Sequence, residues 1–142
     1  MRFGLQALRQ DSRGASAVEF AVVCPVFLMI LLGILTFGMY FGAAHSVAQL
    51  AADAARASVA GLSDAERSKI ARELVSTSAS EYVLINPNRI EVEAAPLPSD
   101  PTEFRVAVRY DAKDLPIWAF APFVPLPSQT IERTATVKRG GY

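Results

Sequence analysis

The chain has 142 residues, with 14 basic and 14 acidic side chains, so it is formally neutral and shows no basic excess of the kind a nucleic-acid partner needs. One cysteine (Cys24) and one histidine (His45) exclude an intramolecular disulfide and leave almost nothing for metal ligation or for Cys–His and Ser–His catalysis. Half of the composition is hydrophobic, 51%, and much of it lies in one run.

Met1 to Gly14 is polar and basic and reads as a leader, residues 1–14, rather than as folded structure. From Phe20 to Ala44 no residue is charged, a length of about 37 Å as an α-helix against the roughly 20 residues needed to cross a bilayer. A membrane-spanning helix is therefore expected over 15–44, with one carboxylate, Glu19, at its start. Carboxylates in such segments are costly and tend to have a partner or a task. Arg2, Arg9 and Arg13 precede the run against a single Asp11, and no Lys or Arg follows until Arg56. The positive-inside rule then puts the N-terminus in the cytoplasm and the C-terminal part outside, which in a bacterium is the periplasm. A secretory signal would have a shorter apolar region free of acid. An uncleaved signal anchor explains the hydrophobicity and the topology but not the spacing of Gly14 and Glu19.

Within the run, Cys24 reads as a small apolar residue. Pro25 removes one backbone hydrogen bond and should bend the helix locally. Gly38 and Gly42 form a GxxxG that permits close helix packing, and Tyr40 and Phe41 suit the outer interface.

The remainder, 45–142, is expected to form one small α+β domain. His45 to Ala60 is Ala-rich and should continue the helix out of the bilayer, with Asp53 and Arg56 paired on one face and close packing along the alanines. Gly61 ends that helix. Ser63 with Glu66 forms a capping box for a second helix, whose apolar stripe is Ala71, Leu74, Val75, Ser78 and Tyr82. After the Asn86-Pro87-Asn88 stop, three short antiparallel strands are expected: Ile90 and Val92 alternating with Glu91 and Glu93; Phe104 to Tyr110 alternating with Arg105 and Arg109; and Ile131 to Val137. Pro96 to Pro101 would join the first two as a loose hairpin, with the Glu pair facing the Arg pair. Leu115 to Pro127 carries Trp118, Phe120 and Phe123 among four prolines, which forbids a regular helix. It is either a loop folded over the core or an apolar surface for a partner or the membrane interface, with Trp118, Phe120 and Phe123 as the candidate residues.

No catalytic residue, metal-ligand cluster or cofactor-binding loop stands out, and an enzyme is not expected.

The run Arg13-Gly14-Ala15-Ser16-Ala17-Val18-Glu19-Phe20, continuing through Cys24-Pro25, resembles the TadE branch of the type IV pilin-like proteins, the pseudopilins of the tight-adherence (Flp) pilus system. The close resemblance covers Arg13 to Tyr40. It implies cleavage between Gly14 and Ala15 by a prepilin peptidase, an aspartyl membrane protease at the cytoplasmic face. The exposed amine of Ala15, with an ordinary pKa of about 7.7–8.0, would be largely protonated and would pair with Glu19 of a neighbouring subunit to set the axial register, with Phe20 beside it. The bland role for Glu19 is to snorkel to the headgroups. The resemblance further implies a minor component of an adhesive pilus at the inner membrane. Its partners would be membrane lipid, a sister pseudopilin, the inner-membrane assembly platform and the major Flp pilin. The alternative is an uncleaved single-pass membrane protein with a periplasmic ligand- or partner-binding domain.

Overall fold

The computed structural model describes residues 12–138; Arg2, Arg9, Asp11 and most of the expected leader lie outside them. The order of elements is α1 (Ser12–Ser58), α2 (Asp64–Ser78), β1 (Ile90–Leu97), β2 (Asp100–Asp111) and β3 (Thr130–Lys138), with short 3₁₀ turns at Ala79–Glu81, Pro87–Arg89 and Pro116–Phe120. The α+β class, the second helix and the three-stranded antiparallel sheet are as expected from the sequence.

The chain divides between Leu35 and Thr36. Before that division, the described residues are helical and almost wholly exposed, from Val18 through Leu35, on every face. A helix apolar all round has no water-facing side, which is the signature of a segment surrounded by lipid or by other helices. It runs through Pro25, whose missing N–H leaves one carbonyl without an intrahelical donor.

The packed unit starts at Thr36. Tyr40, Ala43, Ala44, Val47, Leu50, Ala51, Ala54, Ala55 and Ser58 are all buried at helical spacing. Five of these are alanines, so the helix backbone approaches its neighbours closely. Ser58, fully buried, satisfies its hydroxyl by donating to the Ala55 carbonyl at 2.7 Å. Gly61 lies just past the end of α1, without a left-handed backbone. Its role is space: a Cβ there would stand 2.7 Å from the Arg67 amide nitrogen, and Arg67 Nε donates to the Gly61 carbonyl at 2.9 Å.

Ser63 caps α2 by accepting from the Glu66 amide at 3.2 Å. The return half of the capping box is displaced by one residue, since Glu66 Oε2 accepts from the amide of Leu62 rather than Ser63. Ala71 and Val75 form the buried stripe, and Ser68 Oγ donates to the Ala94 carbonyl, tying α2 to β1.

The sheet order is β1-β2-β3, with β2 central. Phe104, Val106, Val108 and Tyr110 face the core, paired across β1 with Pro96, Ala94, Val92 and Ile90. The hairpin is tighter than the proline spacing suggests. Leu97 pairs with Asp100 around a two-residue turn, and a register shift between Pro96 and Leu97 absorbs the extra residues of β2. Proline is tolerated there because β1 is an edge strand. On the outer face Glu93 bridges Arg105 (3.1 Å) and Arg109 (3.4 Å), and Glu132 of β3 holds Arg109 at 2.8 Å. Glu91 stands opposite Arg109 in the ladder, as expected, and Glu132 of β3 joins Glu93 in making the direct ion pairs. Arg133 falls on the core-side register of β3, opposite Val108, yet remains exposed. A charge so placed on an edge strand opposes further strand addition.

Candidate functional site

Two regions hold the residues singled out by the sequence. The first is the start of α1. The helix begins at Ser12, so the Gly14–Ala15 peptide is in its first turn. Glycine is a poorer helix former than alanine, and it sits in a turn whose amides lack intrahelical acceptors. A Cβ on Gly14 would meet nothing within 4 Å. Glu19 and Phe20 are exposed, Phe20 at 70%. Ala15 and Glu19 are i, i+4 neighbours, about 6 Å apart along the axis on one helix face. Cys24 is half-buried and reduced.

The second region is the proline-rich segment after β2. It is anchored at three points. Trp118 Nε1 donates to the Ala112 carbonyl at 2.7 Å. The Trp118 ring packs edge-on against Tyr40, with centroids 6.3 Å apart. The Tyr40 hydroxyl donates to the Ser128 carbonyl at 3.0 Å. Leu115 and Ile117 are buried, and Trp118 and Leu126 pack against the core from its edge. Phe120 is half-buried, whereas Phe123 is 64% exposed and Val124 is exposed beside it. The three aromatics therefore divide: Trp118 closes the core, and Phe123 faces outward. Ile117, fully buried, was not singled out by the sequence, although its position beside a proline-started turn is the kind that docks a loop.

Gly38 and Gly42 also divide. A Cβ on Gly38 would meet nothing within 4 Å, while one on Gly42 would stand 2.7 Å from Leu84 Cδ1. The gap at Gly42 is filled from within the domain. Tyr110 holds the filling loop by donating to the Leu84 carbonyl (3.3 Å) and accepting from the Asn86 amide (3.4 Å).

A cleft of about 450 Å³ opens between Asn88, Arg89, Glu91, Arg109, Asp111 and Lys113. Arg89 Nη2 meets Asp114 at 2.5 Å and Lys113 pairs with Asp111 at 3.2 Å, while Arg89 Nη1, buried and 3.6 Å from Asp111, has no hydrogen-bond partner. The Asp111 carboxyl is held below its ordinary pKa, first by the Lys113 amide that donates to it. No nucleophile stands beside a base in this cleft, and among the described residues no group of three or more His, Cys, Asp or Glu side chains gathers to hold a metal ion. His45 is exposed.

Residues 14–56 match the family model of TadE-like protein, less than a third of the chain but the part that carries Gly14, Glu19, Phe20 and Pro25. This bears out the TadE-like resemblance, and the Flp pilus system is the usual context of that family. The family is a structural component of Tad pili, not a family of enzymes. No curated protein and no solved structure matches. Among the described residues one helical stretch, Gly14–Ser58, is long and apolar enough to cross a membrane, which fits a single-pass membrane protein.

Proposed function

From the TadE-like character of residues 14–56, we propose that this chain is a minor pseudopilin that assembles an adhesive Flp pilus. The observation that carries the reading is the coincidence of the matched segment with Gly14, Glu19 and Phe20 at the head of a helix that is apolar on every side. A prepilin peptidase cuts between Gly14 and Ala15 at the cytoplasmic face. The basic leader stays inside, α1 crosses the inner membrane, and the domain stands in the periplasm.

Cleavage puts a protonated amine four residues from Glu19 on one helix face. Within one subunit the backbones of the two residues are about 6 Å apart along the axis, so the Glu19 carboxylate can serve either its own amine or that of a neighbour. A neighbouring helix shifted by one turn brings the amine of one subunit level with the carboxylate of the next. Each charge alone is costly at the membrane edge, and the pair is far less so. The register of packed helices follows from that difference. The partners are the peptidase, a sister pseudopilin, the assembly platform, the major pilin and lipid.

The test is the intact mass of the protein from its native host. A chain beginning at Ala15 is expected; a chain retaining the leader overturns the pseudopilin reading in favour of an uncleaved single-pass protein with a partner-binding domain.

A further inference from the structure

Three uncharged stretches meet at one level of α1. The first is α1 itself, which carries no Asp, Glu, Lys or Arg from Phe20 to Ala52. The second is Tyr82 to Asn88, whose Leu84 packs onto Gly42. The third is Leu115 to Ile131, tied to Tyr40 by the Trp118 ring and the Ser128 carbonyl. Two loops from distant parts of the chain thus reach helix positions 40 to 42, and neither brings a charge. The large exposed side chains of these stretches are apolar, Phe41 and Phe123 at 64%, Val83 at 98% and Val124 at 39%, beside the uncharged Asn86, Asn88, Ser128 and Gln129. The domain's ion pairs fall outside these three stretches, at Asp53–Arg56 on α1, at Lys69–Glu73 on α2, on the outer sheet face, and at Arg89–Asp114 and Lys113–Asp111 just beyond the loop ends.

The length of the helix fixes what this surface meets. Counted from Phe20, the roughly 20 residues that cross the hydrocarbon core end near Met39. Tyr40 and Phe41 then fall at the headgroup level, where aromatic residues are favoured. Tyr40 is already buried in the domain at that point, 8% exposed, so whatever packs on Tyr40 is at the same level.

We infer that this end of the domain is seated on the bilayer surface, with Phe41, Val83, Phe123 and Val124 inserted among the lipid headgroups. The inference rests on the reading of α1 as a membrane span. A lipid surface fits better than a protein groove because the apolar residues come from three separate stretches around one helix, without a charge to fix a docking orientation.

The experiment uses the full chain in vesicles of phosphatidylethanolamine and phosphatidylglycerol. In a Cys24→Ser background, a single cysteine is placed by Ile30→Cys, Leu62→Cys, Val83→Cys or Phe123→Cys and labelled with an environment-sensitive fluorophore. The last three sites are exposed, Leu62 at 94%, so labelling leaves the core intact. Position 30 is expected to lose its emission to acyl-chain nitroxides, positions 83 and 123 to headgroup nitroxides, and position 62 to aqueous iodide alone. If 83 and 123 behave like 62 while 30 remains lipid-quenched, the surface seating is overturned and the span stands. If 83 and 123 are shielded from lipid and iodide alike until the protein is diluted in lipid, a second copy covers them, and the inference is equally overturned. Loss of lipid quenching at position 30 overturns the span itself and the seating with it.

Discussion

The hydroxyl of Tyr40 donates to the carbonyl of Ser128 across 88 positions of sequence, fastening the proline-rich segment to the first buried turns of α1. The Trp118 ring, edge-on to Tyr40, closes the same joint. Tyr40→Phe keeps the ring and removes the hydrogen bond, and is expected to lower stability by about 1 kcal/mol. Trp118→Ala removes packing as well, and is expected to cost about 3 kcal/mol, the low end for a buried aromatic because the ring is only half-covered. Phe123→Ser, at an exposed site, should stay within about 0.5 kcal/mol. Urea unfolding of the full chain in detergent, followed by Trp118 fluorescence or circular dichroism as the variant allows, measures all three.

Gly14→Ala tests processing without disturbing the fold. Nothing lies within 4 Å of the new methyl group, and alanine strengthens the first turn of α1. Full-length protein should accumulate in the membrane and piliation should fall. N-terminal sequencing that finds Ala15 at the start of both wild type and variant would show that the peptidase does not read Gly14.

Glu19→Ala makes the head of α1 more apolar, so insertion should be unimpaired and cleavage near normal. Co-purification with a sister pseudopilin should be lost. Glu19→Asp should fall between, because its charge remains but reaches less far. Full assembly with Glu19→Ala would reduce Glu19 to a snorkelling side chain.

Gly38 and Gly42 should respond in opposite ways. Gly38→Ala adds a methyl group to open space and gains up to about 1 kcal/mol in helix propensity. Gly42→Ala must displace Leu84, whose overpacking cost of about 1–3 kcal/mol cancels or exceeds the same gain. A higher thermal midpoint for Gly38→Ala than for Gly42→Ala is the expected result. Reduced pull-down with Gly38→Ala despite that gain would identify Gly38 as the face used by a neighbouring helix.

Acid should loosen the sheet. The Asp100 carboxyl is lowered from 3.8 chiefly by the Thr102 hydroxyl donating to it, and Asp111 by the Lys113 amide. Each is therefore more stabilising when ionised. That contribution is complete above the ordinary value near 3.8 and disappears as pH falls through the lower folded values. Unfolding midpoints should decline below about pH 4, and Asp100→Asn with Asp111→Asn should flatten that decline.

Much of this architecture is legible in residue order. The 25-residue uncharged run from Phe20 to Ala44, the Ser63–Glu66 cap and the alternation of Phe104 to Tyr110 are local patterns, and each formed where its period placed it. The burial of Thr36, Tyr40, Ala43 and Ala44 was less legible. Thr36 to Ala44 is as apolar as the residues before it, and hydropathy does not distinguish a side chain buried in protein from one buried in lipid. The split between Trp118 and Phe123 was hidden for a similar reason. Both are aromatics among prolines, and only the Ala112 and Ser128 carbonyls, which leave no mark in composition, decide which of them turns inward.

The spine of the domain core is also the tail of the helix that enters the membrane first. Tyr40, Val47 and Leu50 are synthesised before any strand they pack against, and β3, at Thr130–Lys138, completes the sheet last. Ala71 and Val75 of α2 join the core of α1 early in the chain, but the Tyr40 end is closed only when Ser128, 88 positions later, is in place. A chain cut before Ser128 would leave Tyr40 and its end of the core uncovered. The same order makes a fragment starting at His45 unsuitable for study in isolation, since it would discard Tyr40, Ala43 and Ala44 from the core it is meant to represent.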